Sequence, residues 1–213
     1  MAFTKYYFSQ SSVRNNATDV KNWLEENATE YFDSFDIHSG NFDSAVICGV
    51  GSTAKLYFQT TMPNNGAYDS LIITLDSGLN IKFQSNDGGT YKFTYVKYAI
   101  KSDNGIMLYM DENHSIIIAK SNAGTTAVYA KWKTNSSSNM VADLINSETI
   151  STQNFSSKVE SNEITALAPL CFPSGIYAQK LFMTPYSQYV GYIGIIDING
   201  TKYAYDGYAA LEL

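Results

Sequence analysis

The chain has 213 residues, of which only 16% are charged, and its formal net charge at pH 7 is −6. An acidic chain whose only arginine is Arg14 disfavours DNA or RNA as a partner, because phosphate binding needs clustered lysine and arginine. Aromatic residues make up 14% of the chain, which argues against intrinsic disorder. The N-terminal residues include no apolar run typical of a signal peptide, and no run reaches the ~18 apolar residues of a membrane span. We therefore expect no membrane insertion.

The first predicted element is an amphipathic helix of about four turns, judged from its 3.6-residue periodicity. Asn16, Thr18 or Asp19 is expected to cap its N-terminus. The apolar stripe consists of Val20, Trp23, Leu24, Ala28, Tyr31 and Phe32. We expect the three aromatic residues of this stripe to be buried against a sheet or a neighbouring subunit.

From Phe35 onward the apolar residues alternate with a period of two, which is typical of strands. The predicted strands are Phe42–Val50, Ala54–Thr60, Leu71–Leu75, Leu79–Phe83, Tyr91–Ile100, Ile106–Met110, Ser115–Lys120 and Thr125–Lys133. Short turns between consecutive strands favour an antiparallel meander. The sequence therefore predicts a mainly β fold, an antiparallel β-sandwich or a set of meander sheets, with one N-terminal amphipathic α-helix.

A Ser/Asn-rich stretch separates these strands from a C-terminal group of hairpins. The C-terminal predicted strands are Ile164–Phe172, Lys180–Tyr186, Tyr189–Ile198 and Thr201–Tyr205. Asn199 and Gly200 predict a type I′ turn, because both residues tolerate positive φ. We divide the chain into an N-terminal arm and helix, an antiparallel β domain, a loop or arm, and a C-terminal hairpin segment that either stands apart or packs into the same domain. The corresponding ranges are 1–34, 35–133, 134–163 and 164–213.

Few residue types suited to catalysis or metal binding occur in the chain. His38 and His114 are the only histidines, and the Asp111–His114 run is typical of a solvated turn rather than a metal site. Cys48 and Cys171 each lie in an apolar run, which favours two buried free thiols over a long-range disulfide. We expect no catalytic residues, no metal and no cofactor.

Tyrosines are concentrated near the C-terminus. They are Tyr177, Tyr186, Tyr189, Tyr192, Tyr203, Tyr205 and Tyr208. Three interpretations of these tyrosines remain open. They pack within strands, since strands favour tyrosine, or they form a protein interface, or they stack against sugar rings. For an interface we single out all of these except Tyr177, together with the helix residues Trp23, Tyr31 and Phe32. For sugar stacking we single out Trp132.

Three segments resemble small structural proteins encoded by phages and prophages of gut Firmicutes. They are LFMTPYSQYVGYIGIIDINGTKYAYDGYAALEL at the C-terminus, YVKYAIKSDNGIMLYMDENHSIIIAKSNAGTTAVYAKW in the middle, and the helix TDVKNWLEENATEYF. The shared features are turns and strand patterns spread over most of the chain. The resemblance implies a virion component near the tail, baseplate or capsid surface, and it carries over no catalytic residues.

Our leading hypothesis is a non-enzymatic bacteriophage virion structural protein. Its partners would be further copies of itself and other virion proteins, and it would be located in the virion. The first alternative is a receptor- or carbohydrate-binding module that presents exposed tyrosine and tryptophan to a host-surface glycan. The second alternative is a glycan hydrolase with a pair of acidic residues.

Overall fold

The structure is a computed structural model, and it describes residues 2–39, 43–51, 54–61, 70–74, 80–84, 95–111, 114–133, 137–144, 148–151, 168–183 and 194–213. These residues form one helix and three antiparallel sheets. The prediction of a mainly β chain with a single N-terminal amphipathic helix is confirmed. In the described part of the chain, no helix is long and apolar enough to cross a membrane.

The helix, α1, spans Val13–Asn27 and begins earlier than the sequence predicted. Ser12 is its N-cap, and the Ser12 side chain accepts a hydrogen bond from the backbone N–H of Asn15. The predicted cap at Asn16, Thr18 or Asp19 is therefore wrong. Asn16 lies in the first turn of the helix that Ser12 caps, and its buried side chain binds the Val96 carbonyl just before β7.

A seven-stranded antiparallel sheet, here called the central sheet, contains both N-terminal and middle segments of the chain. Its strands are β1 (Thr4–Tyr7), β7 (Tyr98–Ser102), β8 (Gly105–Asp111), β9 (His114–Lys120), β10 (Thr126–Lys133), β11 (Ser137–Asp143) and β12 (Glu148–Ser151), and they lie side by side in that order. Strands β7 to β12 form a meander, and β1 adds to it at the β7 edge. Both the 1–34 segment and the 134–163 stretch thus contribute strands to this sheet.

The second sheet is also a meander, and its strands are adjacent in chain order. They are β2 (Ser34–Ser39), β3 (Asp43–Val50), β4 (Ala54–Thr61), β5 (Ser70–Thr74) and β6 (Asn80–Gln84). The third sheet, here called the C-terminal sheet, has the order β13-β14-β17-β16-β15. Its strands are β13 (Ala168–Cys171), β14 (Tyr177–Met183), β15 (Gly194–Ile198), β16 (Thr201–Tyr205) and β17 (Ala209–Glu212).

The central sheet is covered on both faces. One face packs against α1 and β3, and Leu24, Cys48, Ile116 and Ile118 belong to the same buried core there. The other face packs against the C-terminal sheet through a second core of thirteen buried residues that includes Ile117. Sheets with two covered faces carry continuous rather than alternating apolar runs. The uninterrupted Ile116–Ile118 run in β9, buried along its whole length, fits this arrangement.

Most predicted strands occur within a few residues of their expected bounds. The prediction of Tyr91–Ile100 is the largest mismatch: β7 begins at Tyr98, residues 95–97 are not strand, and residues 85–94 lie outside the described part. The predicted hairpin turn is confirmed, because φ is +52° at Asn199 and +84° at Gly200. The Asp197 carboxylate also accepts a hydrogen bond of 2.8 Å from the Gly200 N–H.

Cys48 has a free thiol buried in the core between α1 and the central sheet. This confirms the predicted free thiol for Cys48, whereas the side chain of Cys171 lies outside what the structure describes. Burial raises the pKa of the Cys48 thiol to about 12, so it stays protonated at neutral pH and is a poor nucleophile.

Candidate functional site

Strand β1 lies at the edge of the central sheet, and all four of its residues are exposed. Its neighbour in the described part is β7, with Thr4 opposite Lys101 and Tyr7 opposite Tyr98. Tyr7 keeps 67% of its surface exposed and Tyr6 keeps 41%. Exposed tyrosines on an edge strand combine a large contact area with backbone groups that can pair with another strand, so this edge is the candidate interaction surface.

One face of this edge carries a row of three tyrosines with a lysine above it. Tyr7, Tyr98 and Tyr109 are cross-strand partners on β1, β7 and β8. The rings of Tyr98 and Tyr109 stack at 4.7 Å between centroids, and Tyr7 meets Tyr98 edge-on at 5.9 Å. The Lys5 ammonium lies 3.9 Å from the Tyr98 ring centroid and 5.0 Å from that of Tyr7. The Lys5 ammonium thus holds the Tyr7 and Tyr98 rings together, and Tyr98 stacks in turn on Tyr109. These four residues are here called the Lys5–Tyr109 row.

The Tyr98 hydroxyl stays neutral far above physiological pH. Partial burial raises the pKa of Tyr98 to about 12, and the neighbouring Tyr109 and Tyr7 hydroxyls add to the effect. Tyr98 therefore offers a neutral phenol group that can both donate and accept a hydrogen bond.

The other face of β1 is tied to the helix through Tyr6. The Tyr6 ring stacks near Trp23 at 6.1 Å and meets Phe8 edge-on at 5.0 Å. Its hydroxyl donates a 3.1 Å hydrogen bond to the Asp19 carboxylate, which is the main cause of the raised pKa of Tyr6. The strand is thus held from its inner side, and among the described residues no strand pairs with its outer edge.

The chain leaves β1 through a polar clamp formed by the first turns of α1. Asn16 donates hydrogen bonds to the carbonyls of Ser9 at 2.7 Å and Val96 at 2.8 Å. The Asp19 carboxylate accepts a 2.8 Å hydrogen bond from the Ser9 N–H. These contacts fix the position of β1 relative to β7 without using the outer edge of the strand.

The helix residues predicted for an interface are buried within the chain itself. Trp23, Tyr31 and Phe32 all belong to the core between α1 and the central sheet. Tyr31 and Phe32 follow the helix rather than lying on it, and the Lys120 ammonium lies 5.4 Å from the Tyr31 ring centroid. Packing inside the chain accounts for these three rings, and any contact of theirs with a partner stays a prediction.

The C-terminal tyrosines occupy different environments. Tyr203 and Tyr205 are buried with Ile196 and Ile198 on one face of the C-terminal sheet. Tyr208 is half-buried, and the Lys131 ammonium lies 4.8 Å from its ring centroid. The predicted residues Tyr186, Tyr189 and Tyr192 lie outside the described residues.

Trp132, the residue predicted to stack on sugars, belongs to β10. Its backbone lies opposite His114 on one side and Ser138 on the other. Its side chain is outside what the structure describes.

A buried polar cluster joins the central sheet to the C-terminal sheet. Asp206 accepts hydrogen bonds from the backbone N–H groups of Tyr208 and Ala209 at 2.8 and 2.7 Å and from the Ser115 hydroxyl at 2.7 Å. The Lys131 ammonium donates a 2.8 Å hydrogen bond to the Asp206 carbonyl. One carboxylate oxygen therefore holds the β16–β17 turn and the other binds Ser115 of β9, which is a structural role.

Histidine and acidic residues form a pair rather than a metal cluster in the described part of the chain. His114 Nδ1 lies 2.8 Å from an Asp111 carboxylate oxygen where β8 passes into β9. Among the described residues, no group of three or more His, Cys, Asp or Glu side chains converges on one point.

Comparisons with protein-family models, with curated proteins and with solved structures gave no match. A function for the chain is therefore inferred from its sequence and from the geometry of the β1 edge.

Sequence reasoning missed the residues of the Lys5–Tyr109 row. The signal was available in part: Tyr98 and Tyr109 are equally distant from the Asp103–Asn104 turn, so an antiparallel hairpin must place them opposite each other. Nothing local indicates that Tyr7 joins them, because the pairing of β1 with β7 links positions about ninety residues apart.

Proposed function

We propose that this chain is a non-enzymatic bacteriophage virion structural protein that acts by assembling with copies of itself and with other virion proteins. The phage part of the proposal is supported by the resemblance of three sequence segments to such proteins. The assembly part is supported by the exposed aromatic edge of the central sheet.

The exposed edge strand is the single observation that carries the assembly proposal. Because α1 and the C-terminal sheet cover the two faces of the central sheet, its β1 edge is a place where another chain can attach. Tyrosine is enriched at protein interfaces because its ring buries much apolar area while losing few rotamers. The 67% exposure of Tyr7 gives such a contact a large ring to cover.

The buried polar residues have structural partners that fit a scaffold. Asp206 holds the β16–β17 turn and binds Ser115 of β9, and Asn16 holds the helix to the segment that enters β7. Placing polar groups at such joints gives a rigid body with fixed relative orientations of its layers. Rigid building blocks suit a shell or tube made of repeated subunits.

A carbohydrate-binding module is the second candidate, and the Lys5–Tyr109 row favours it. An exposed Tyr7 ring next to a lysine could stack on a sugar and hold an anionic group on it. In this function, Tyr7→Ala or Trp132→Ala abolishes binding to the host-surface glycan and leaves assembly intact. Retained binding in both variants would remove this candidate.

The proposed function is tested by locating the protein in particles. Virions are purified by density gradient from the bacterium or phage that encodes the chain, and their proteins are identified by mass spectrometry. We expect this chain at a fixed ratio to the other structural proteins. Its absence from purified particles, with the chain present in the whole lysate, would contradict the proposal. Light scattering on the isolated protein over a concentration series then tells whether it forms a defined oligomer alone.

A further inference from the structure

Within the described residues, the outer edge of β1 has unused backbone hydrogen-bonding groups at two positions. The Phe8 N–H donates to the Lys97 carbonyl at 3.0 Å, which extends the β1–β7 ladder by one residue. In an antiparallel ladder the backbone groups of alternate residues point to opposite sides. The groups of Phe8, Tyr6 and Thr4 therefore point towards β7, and those of Lys5 and Tyr7 point outward.

We infer that two copies of this chain pair through β1, antiparallel across a two-fold axis, with Tyr6 of one copy opposite Tyr6 of the other. In this register Lys5 of each copy lies opposite Tyr7 of the other, and these residues exchange both of their backbone hydrogen bonds. The central sheets of the two copies then join into one. The inference rests on the proposed assembly function and names the surface and the partner.

The alternation of faces limits which registers are possible. A two-fold axis perpendicular to the sheet keeps the Lys5 and Tyr7 side chains of both copies on the same face of the joined sheet. The residue opposite Lys5 or Tyr7 must therefore come from that same face of the other copy, which excludes its Tyr6. Three registers satisfy this condition: Lys5 opposite Lys5, Lys5 opposite Tyr7, and Tyr7 opposite Tyr7.

Charge repulsion and an occupied backbone N–H group exclude two of the three registers. Lys5 opposite Lys5 places two ammonium groups side by side, which is destabilising. Tyr7 opposite Tyr7 pairs Lys5 with Ser9, whose N–H is already bound to Asp19. Lys5 opposite Tyr7 places each ammonium near a tyrosine ring of the other copy. That repeats the contact that Lys5 already makes within its own chain, 3.9 Å from the Tyr98 ring centroid.

Lys5 also explains why the pairing is selective. A lysine on an edge strand normally discourages pairing with foreign strands, because its charge would be desolvated. A second copy offers that charge a tyrosine ring at the matching position. Three paired residues on each side bury much less than the ~1,200 Å² of stable interfaces, so we expect a reversible, concentration-dependent dimer that further contacts in an assembly would strengthen.

Cysteine cross-linking tests the register. Tyr6 would form a non-hydrogen-bonded pair with its counterpart at a Cα separation of about 4.5 Å, which a disulfide can span, whereas two Lys5 positions would be more than ~7 Å apart. Tyr6→Cys and Lys5→Cys are made in a Cys171→Ser chain, since the remaining Cys48 thiol is buried. Under mild oxidation we expect Tyr6→Cys to double in mass on non-reducing electrophoresis and Lys5→Cys to stay monomeric.

The comparison of Tyr6→Cys with Lys5→Cys distinguishes the proposed register from the alternatives. The inference is overturned if Lys5→Cys cross-links and Tyr6→Cys does not, or if neither variant cross-links, provided that circular dichroism shows both variants folded.

Tyr7→Pro is the second test. It removes an outward N–H while sparing the groups that face β7, so we expect loss of the concentration-dependent dimer seen for wild type in light scattering. A dimer unchanged by Tyr7→Pro would also overturn the inference. Failure of these tests with the chain still present in purified virions refutes only the β1 pairing. The chain's absence from virions refutes the proposed function.

Discussion

The side-chain amide of Asn16 pairs with the backbone of Val96 in both directions. Asn16 Nδ2 donates to the Val96 carbonyl at 2.8 Å, and Asn16 Oδ1 accepts from the Val96 N–H at 3.0 Å. The amide thus imitates the backbone of a neighbouring strand residue at the point where the chain enters β7. Because Asn16 is only 1% exposed and also donates to the Ser9 carbonyl, this contact joins α1, the end of β1 and the start of β7.

Replacing Asn16 should therefore destabilise the fold markedly. Asn16→Ala leaves the Val96 N–H and two carbonyls without their partner in a buried place, and we expect a loss of roughly 2–3 kcal/mol in the free energy of unfolding. Asn15→Ala is the matched control: Asn15 is exposed and its side chain donates to the exposed Ser11 hydroxyl, so we expect a change within about 0.5 kcal/mol. Urea denaturation of both variants measures the difference. Equal losses would show that the Asn16 bridge contributes little.

Asp206 should be the most sensitive acidic residue of the C-terminal sheet. Asp206→Ala removes the acceptor of two backbone N–H groups and of the Ser115 hydroxyl, and we expect a loss of about 3 kcal/mol. Ser115→Ala removes one of these bonds and should cost about 1 kcal/mol. Asp197→Ala, at an exposed turn where the carboxylate accepts one N–H, is the control and should cost less than about 1 kcal/mol. Thermal unfolding measures all three, and similar losses for Asp206→Ala and Asp197→Ala would contradict the prediction.

The elements predicted best from the sequence are those that local chemistry decides. The Asn199–Gly200 turn follows from the tolerance of both residues for positive φ, and β16 matches its predicted bounds. The uninterrupted Ile116–Ile118 run already contains the information that β9 is covered on both faces. The turn and the apolar run follow from neighbouring residues, whereas the elements that cover β9, α1 and the C-terminal sheet, come from distant parts of the chain.

The features that the sequence did not reveal depend on contacts between distant segments. Asn16 has the residue type of a helix cap, but Ser12 caps the helix and the Asn16 side chain binds Val96, which lies eighty positions away. Strand preference explains why tyrosines are frequent in the chain without indicating which ones are exposed. Tyr203 and Tyr205 are buried while Tyr7 is exposed because of the positions of their strands in the sheets.

Gly105 is predicted to be needed for the close approach of β8 to its neighbour β9 and to Leu211 of the C-terminal sheet. A Cβ atom at this position would lie 2.5 Å from the Ile118 carbonyl oxygen and 3.0 Å from a Leu211 methyl group, so backbone would have to move. We expect Gly105→Ala to reduce the free energy of unfolding by about 3 kcal/mol. Gly124→Ala is the comparison: its φ of +79° is unfavourable for alanine, but its Cβ meets nothing within 4 Å, so about 1 kcal/mol is expected. A loss for Gly105→Ala no larger than that for Gly124→Ala would contradict the prediction.

The stability of the fold should fall steeply in alkaline solution because of buried tyrosine and cysteine side chains. Burial raises the pKa of Tyr98 and of Cys48 to about 12, and it raises the pKa of the fully buried Tyr129 well above its ordinary value. In the unfolded chain these groups lose their protons near pH 9 to 10, so above that range the unfolded state binds fewer protons than the folded state.

The stabilising effect of the neutral buried groups is therefore complete below about pH 9 and is lost as the pH rises towards 12. A fully buried group such as Tyr129 that remains protonated in the folded state lowers the free energy of unfolding by about 1.4 kcal/mol per pH unit within this window, and the half-buried Tyr98 contributes less. Urea denaturation at several pH values between 8 and 11 measures the slope. Tyr129→Phe keeps the buried ring and removes the ionisable hydroxyl, so its stability should decline less steeply above pH 10 than that of the wild-type chain. Identical slopes for the two chains would show that Tyr129 ionises equally easily in the folded and unfolded states.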